Sequence, residues 1–303
     1  MKVLTFFTNQ KDGHDDPVYH LGFEKYESSC PDFYFMLGNV YDAINSGKYD
    51  DKPKIVLSLE EPNFCQLGQS HIPTDPPLGH HTETFNKVDT VLSICPYTAE
   101  TIDNRKFVYF PFNQELIPKK EEKIYDCIYS GSILSSSVSM MVDCMLPHKY
   151  ILITFNNDAR ANHKNVSYLE KLNLYAKTKV TICHNLLWPH ISQHWRYKGF
   201  FNADKNKAFD FLDSGVMPQI KSRVFEAAFC RSVILCAKDN WNVIEKFFEP
   251  NKDFVYYENQ QDLKEKLDYI INNYEKYTDM IESAYEKAVN NYTTEHFVRK
   301  YLM

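Results

Sequence analysis

Short apolar segments alternate with helix-like segments along this chain, and this alternation limits the possible folds more than any other feature. The segments are apolar on both faces, as in the strands of a parallel sheet that helices cover on both sides. The pattern therefore predicts an α/β fold with parallel sheets. The candidate strands are residues 2–7, 54–59, 90–94 and 106–112 in the first half, and residues 125–132, 149–155, 179–184, 232–237 and 253–257 in the second.

Between these strands, apolar residues recur at helical spacing in 169–177 and in 261–277. Residues 277–303 predict one or two further helices with a break near Asn290 and Asn291. The chain has 303 residues, which is enough for two domains with a core each. A proline and a run of charges at 113–123 mark the predicted boundary.

The composition excludes several partners and locations. A net charge of −6 argues against a nucleic-acid partner, since such binding depends on many basic contacts with phosphate. The eight cysteines form no C-x-x-C and no zinc spacing, so we expect buried thiols in a reducing compartment. We expect a cytoplasmic protein without a membrane span, because the amino-terminal apolar run is short and no stretch of 18 apolar residues occurs.

Several familiar motifs of α/β enzymes are missing from the sequence. It contains no G-x-x-x-x-G-K-[ST] and no G-x-G-x-x-G, which argues against P-loop ATPases and NAD dehydrogenases. It contains no G-x-S-x-G, the nucleophile elbow of α/β-hydrolases. It also contains no D-x-D, which argues against a carboxylate-held divalent metal beside a nucleotide sugar. We therefore expect neither a metal nor a cofactor.

The segment PQIKSRVFEAAFCRSVIL, residues 218–235, predicts a helix that begins at Ser222 and leads into a central strand. Such a helix points its free N–H groups and the positive end of its dipole at the carboxyl edge of the sheet, where a diphosphate can bind. Lys221 and Arg223 would add positive charge, and Glu226 would accept hydrogen bonds from ribose hydroxyls. The alternative is a surface pair between Arg223 and Glu226 with Lys221 in solvent.

A second candidate segment follows the first strand of the second half. Ser130, Gly131 and Ser132 form a loop of small residues, which would let backbone amides approach a phosphate. The alternative is an ordinary turn.

The segment from Lys221 to Ile271 resembles the carboxyl-terminal domain of group 1-like glycosyltransferases, in particular the bacterial spore-protein type. That family has a basic residue before Phe-Glu-Ala, a Gly four positions after that Ala, an apolar strand, and an F-x-P-x-x-[DE]-F-V-x-Y segment. Here the corresponding stretches are KSRVFEAAF and FEPNKDFVYY. YDCIYSGS and YAKTKVTICHN resemble the family more loosely.

The resemblance implies a GT-B enzyme, with two Rossmann-like, doubly wound domains facing a central cleft. The acceptor-binding domain would be residues 1–118 and the donor-binding domain residues 119–280, with helices in 281–303 packing back on the first domain. The implied donor is a UDP- or GDP-sugar and the implied acceptor a glycan or glycoprotein, without a bound metal. The implied nucleotide-sugar ligands are Ser130, Gly131, Ser132, Asn185, Lys221, Arg223 and Glu226.

Two positions depart from the family pattern. Arg231 stands at the family's Gly, where a left-handed backbone would cost about 1 kcal/mol for a residue other than Gly. Retaining members have a Glu eight positions before the residue that matches Glu226, and Pro218 stands there. The second departure favours an inverting mechanism, in which a general base activates the acceptor hydroxyl.

The first half of the chain offers two candidates for that base. Glu60 and Glu61 follow a predicted strand in KIVLSLEEPNF, a patch similar to the acceptor domain of α-1,3-fucosyltransferases. The alternative is His14 with Asp12 or Asp15, in the loop after the first strand. Either group could instead be a solvated loop charge.

We therefore expect a metal-independent, inverting glycosyltransferase. Abundant Asn, Lys, Tyr, Phe and Ile are typical of proteins from AT-rich genomes, and together with the short length they suggest a large DNA virus as the source. The alternatives are a non-catalytic carbohydrate- or nucleotide-binding protein and a nucleotide-sugar epimerase of related fold.

Overall fold

The computed structural model describes residues 3–4, 20–37, 40–59, 84–101, 103–133, 135–155, 157–187 and 217–303. The chain folds into two compact units. Unit 1 comprises the described residues of Met1–Lys11, Phe23–Tyr109 and Leu186–Ile220. Unit 2 comprises those of Asp12–Gly22, Phe110–Asn185 and Lys221–Met303.

Unit 1 contains a five-stranded parallel sheet whose described strands follow the order of the sequence. The strands are β1 (Val3–Leu4), β2 (Phe33–Leu37), β3 (Lys54–Ser58), β4 (Thr90–Ser93) and β5 (Arg105–Phe107). Two short helices accompany them, α1 (Tyr41–Asn45) and α2 (Pro96–Thr101). Each of the four predicted strands of the first half overlaps an observed strand, although the segment predicted at 106–112 is a strand only as far as Phe107 and residues 5–7 lie outside the described residues. Strand β2 was not predicted.

The core of unit 1 lies between its sheet and the segments that connect the strands. Apolar side chains from β2, β3 and β4 pack there with residues of the connecting segments, as expected for strands covered by other elements. The cluster consists of Met36, Val40, Ile44, Val56, Phe85, Val88 and Val91. A separate antiparallel pair joins β9 (Leu186–Leu187) to β10 (Met217–Pro218).

Unit 2 contains a second five-stranded parallel sheet, with the strand order β12-β11-β8-β6-β7. In this doubly wound order, β7 is added on one side of β6, and β8, β11 and β12 are added on the other side. This change of side places a topological switch point between β6 and β8. The strands are β6 (Tyr125–Ser130), β7 (Tyr150–Ile153), β8 (Thr178–Cys183), β11 (Val233–Ala237) and β12 (Val255–Tyr257).

Six helices of unit 2 are described: α3 (Ser136–Asp143), α4 (Tyr168–Ala176), α5 (Ser222–Phe229), α6 (Gln260–Asn272), α7 (Thr278–Asn291) and α8 (Thr294–Tyr301). Four of them are preceded by a polar N-cap residue whose side chain accepts a backbone N–H of the first turn. These residues are Ser135, Ser167, Asn259 and Thr293. The predicted helices and the break in the terminal segment are confirmed, except that the segment predicted as one helix at 261–277 is divided into α6 and a 3-10 helix, Tyr274–Tyr277.

Helix α5 begins at Ser222, as the sequence predicted, and ends in a Schellman motif. The N–H of Arg231 donates to the carbonyl of Ala228, and the N–H of Ser232 to that of Ala227. Arg231 has φ +52, the left-handed conformation that the family's Gly implied. Its guanidinium bonds the Glu282 carboxylate at 3.2 Å and lies 3.3 Å from the Tyr285 ring centroid, both on α7. These contacts offset the conformational cost.

The terminal helices α7 and α8 belong to unit 2. Helix α7 packs against α5. The Thr294 hydroxyl donates to the Leu21 carbonyl, and the Thr294 N–H to the Phe112 carbonyl, all within unit 2. The predicted packing of 281–303 on the first domain, like the domain limits at 118 and 280, stays a prediction.

Among the described residues, no helix is long and apolar enough to cross a membrane. Of the seven described cysteines, Cys30 is exposed and the other six are buried.

Candidate functional site

The carboxyl ends of the parallel strands in unit 2 meet at one edge of the sheet, where ligands of doubly wound sheets bind. The segments that leave β6, β8 and β11 at this edge begin with Gly131, His184 and Lys238. Helix α5 precedes β11 in the chain, so it ends at the opposite edge and begins at this one. The N-terminus of α5 therefore lies with the strand ends around the switch point.

Arg223, in the first turn of α5, contacts both strands at the switch point. Its NH1 group lies 3.1 Å from the Tyr129 hydroxyl on β6 and 3.0 Å from Nε2 of His184, which follows β8. The guanidinium carbon lies 4.8 Å from the Tyr129 ring centroid. A guanidinium carries donors only, so Nε2 accepts and neutral His184 carries its ring proton on Nδ1.

The guanidinium also explains why a glycine follows β6. A Cβ at position 131 would overlap the NH2 atom of Arg223 and lie 3.0 Å from the Tyr129 hydroxyl. Gly131 has φ +154, which also favours glycine. Its N–H donates to the Ile153 carbonyl at 2.9 Å, so this amide already has a partner within the sheet. Ser132 is exposed, and its carbonyl accepts the Tyr129 hydroxyl at 3.3 Å.

The start of α5 is fixed by Asn185. This side chain is fully buried, and its Oδ1 atom accepts the N–H of Lys221 at 3.1 Å. Lys221 is the N-cap residue of α5, and its own side chain makes no capping bond. Asn185 therefore supplies, from another element, the acceptor for the N-cap N–H that a Glu or Gln at the third helical position supplies in a capping box.

Glu226 lies one turn after Arg223 and has different surroundings. Its carboxylate is 1% exposed and pairs with Lys171 of α4, with Nζ 2.9 Å from Oε1 and 2.8 Å from Oε2. The Tyr168 hydroxyl donates to Oε1 at 3.2 Å. Arg223 thus faces β6 and β8, whereas Glu226 faces α4.

Asp239 is a buried carboxylate at the same edge of the sheet, just after β11. It accepts the N–H groups of Trp241 at 2.9 Å and Val243 at 3.2 Å. Burial raises the pKa of Asp239 to about 6, and these N–H bonds limit the rise because they stabilise the charged form.

The structure brings together five of the predicted residues: Gly131, Ser132, Asn185, Lys221 and Arg223. Sequence reasoning missed Tyr129, His184 and Asp239. Tyr129 directly precedes the predicted Ser130, and His184 directly precedes the predicted Asn185. All three residues lie within two positions of the carboxyl end of an apolar strand, and this position was the signal in the sequence that could have identified them.

The candidate bases Glu60, Glu61, His14 and Asp15 lie outside the described residues and stay predictions. Within the described ranges, no group of three or more His, Cys, Asp or Glu side chains could hold a metal ion.

A family model described as glycosyl transferase-like matches residues 147–303, which is more than half of the 303 residues. A search of curated protein sequences found no match. The sequence-based expectation of a glycosyltransferase family is confirmed, whereas viral origin and similarity to fucosyltransferases stay predictions.

Solved structures with the same fold are glycosyltransferases and related enzymes. A mutant of S. aureus TarM in complex with fondaparinux, α-GlcNAc-glycerol and UDP has a TM-score of 0.56 at 12% identity, over 94% of this chain and 57% of TarM. Anabaena Alr3699/HepE in complex with UDP-glucose has a TM-score of 0.57 at 11% identity, over 89% of this chain and 77% of HepE. Sucrose-phosphate synthase from Thermosynechococcus elongatus has a TM-score of 0.55 at 9% identity, over 92% of this chain and 73% of the synthase.

At these identities the likeness shows the fold alone, and it confirms the predicted GT-B class. The chain spans little more than half the length of TarM.

Proposed function

We propose that this chain, which belongs to the glycosyl transferase-like family, transfers a sugar from a nucleoside-diphosphate donor to a hydroxyl of a glycan or glycoprotein acceptor. One observation carries the proposal: the Arg223 guanidinium lies at the switch point of unit 2 and forms no ion pair with any described carboxylate. Its two protein partners are neutral, so its positive charge stays available for an anionic ligand.

A diphosphate fits this position for two physical reasons. A guanidinium binds phosphate oxygens through two parallel N–H bonds. The first turn of α5 adds N–H groups and the positive end of the helix dipole. The half-buried Lys221, at the start of the same helix, supplies a second positive charge.

A UDP-sugar is the first donor to test. The HepE structure contains UDP-glucose and the TarM structure contains UDP, which supports a UDP-sugar as donor. GDP-sugars are the second choice from the sequence resemblance.

The mechanism that we propose is inverting and independent of a metal. Pro218 stands where retaining members of the resembled family have a Glu, and the sequence contains no D-x-D. Glu60 or Glu61 would take the proton of the acceptor hydroxyl as the oxygen attacks C1 and the diphosphate leaves. His14 with Asp15 is the alternative base.

Isothermal calorimetry of the full chain with UDP-, GDP-, dTDP- and CMP-sugars tests the donor site. At least one should bind saturably, and Arg223→Ala should weaken that binding at least tenfold because the charged fork is lost. Arg223→Lys should recover part of the affinity, since it keeps the charge without the fork.

Arg299→Ala is the matched control, because Arg299 is an exposed arginine on α8 that pairs with Glu295. It should bind the donor as the wild type does. The proposal is wrong if none of the four sugars binds, or if a folded Arg223→Ala variant binds with wild-type affinity.

A further inference from the structure

Two buried aromatic side chains, Tyr129 on β6 and His184 directly after β8, hold one edge of the Arg223 guanidinium. Tyr129 and His184 are both buried, and their polar atoms lie 3.0 Å apart. NH1 of Arg223 has two N–H groups and two acceptors, the Tyr129 hydroxyl and Nε2 of His184. The NH1 edge is therefore fully used by the protein.

The other donors of the guanidinium are left for a ligand. Among the described residues, Nε and NH2 of Arg223 donate to no protein atom, and NH2 lies beside the backbone of Gly131. A side chain at position 131 would fill this space. The arrangement thus turns the NH2 edge toward the loop that follows β6.

Tyr129 also connects the guanidinium to that loop. Its hydroxyl accepts from Arg223 at 3.1 Å and donates to the Ser132 carbonyl at 3.3 Å. Its ring lies under the guanidinium, which adds a cation–π contact. One hydroxyl therefore fixes both the arginine and the backbone of residues 131–132.

The choice of neutral partners matters for the chemistry. A carboxylate at either position would hold the guanidinium equally well but would neutralise it. A phenol and a neutral imidazole orient the guanidinium by hydrogen bonds and leave its net charge in place.

We propose that Tyr129 and His184 are positioning residues that orient Arg223 toward the donor diphosphate, an inference that rests on the proposed function. They act through Arg223, so their removal should matter only while Arg223 is present. That dependence separates positioning from a general contribution to folding.

A double-mutant cycle on donor affinity tests this inference. Tyr129→Phe keeps the ring and removes the hydroxyl, with its bonds to Arg223 and Ser132 and its contact with His184, and it should weaken binding of the UDP-sugar about tenfold. In an Arg223→Ala background the same change should have no further effect. Tyr150→Phe is the control, because Tyr150 lies on β7 of the same sheet and its hydroxyl donates to the Arg160 carbonyl.

His184 is tested by a pair of variants. His184→Leu removes the acceptor and should weaken donor binding about tenfold, whereas His184→Gln supplies an amide oxygen and should restore most of the affinity. The melting temperatures of the two variants should be similar.

The outcomes separate this inference from the proposed function. If Arg223→Ala weakens binding but Tyr129→Phe and His184→Leu do not, the positioning role is wrong and the donor site stands. An equal effect of Tyr129→Phe with and without Arg223 also overturns positioning. If Arg223→Ala itself has no effect, the donor site fails first.

Discussion

Arg223 and Glu226 are opposite charges one helical turn apart, yet each finds its partners on other elements. Arg223 bonds Tyr129 and His184, and Glu226 pairs with Lys171. A spacing of three residues permits a pair on a helix surface, but tertiary packing decides whether it forms.

Asp239 makes the stability of the fold depend on pH. Its folded pKa of about 6 lies above the value of about 3.9 for an unfolded chain. The folded state therefore binds the proton more tightly, and this contribution to stability is full below about pH 4. It is lost as the pH rises through about 6, which corresponds to about 2–3 kcal/mol.

Asp239→Asn should remove this dependence, since the amide keeps a carbonyl acceptor and does not titrate. Relative to the variant, the wild type should lose about 2–3 kcal/mol of unfolding free energy between pH 4 and pH 7. Urea unfolding at several pH values measures the difference. Parallel curves for the two proteins would show that Asp239 does not titrate in this range.

At the scale of elements, Lys171 and Glu226 form a buried ion pair between α4 and α5. Their side chains are 12% and 1% exposed, so each charge depends on the other. Lys171→Met should lower the free energy of unfolding by about 3 kcal/mol, because it leaves the carboxylate unpaired. Adding Glu226→Gln should recover most of this loss.

Lys266→Met is the control for that experiment. It breaks the Lys266–Asp262 pair on α6, which is more exposed, and should cost less than about 1 kcal/mol. Chemical denaturation at pH 7 compares the variants. Equal losses for Lys171→Met and Lys266→Met would contradict a buried pair.

Elements were predicted well where local sequence determines them. The start of α5 at Ser222, the turn at Arg231 and the strands of unit 2 follow from periodicity and from the family pattern. Strand β2 was missed because its short apolar run FYFML does not distinguish a strand from a buried helix.

The contacts of the site could not be predicted in the same way. Tyr129 and Arg223 are 94 positions apart, and His184 and Arg223 are 39 apart. Local pattern carries no information on such pairs, which depend on the strand order of the folded sheet. The sequence indicated the charge at 223 but not the neutral groups that orient it.

At the scale of the whole molecule, the chain belongs to the glycosyl transferase-like family and has a GT-B fold, and we propose sugar transfer, a donor site and a mechanism for it. The most direct test is to incubate the full chain with the nucleotide sugar that binds and to follow the products by NMR. The wild type should release nucleoside diphosphate and transfer the sugar with inverted anomeric configuration. Transfer to water should be slow, and transfer to an acceptor hydroxyl should be faster.

In the same measurement, Arg223→Ala should release diphosphate more slowly than the wild type at the same donor concentration, because it binds less donor. A Glu60→Gln, Glu61→Gln double variant should bind the donor without cleaving it. Binding without any diphosphate release by the wild type, or conversion of the donor into an epimeric nucleotide sugar, would contradict a sugar transferase.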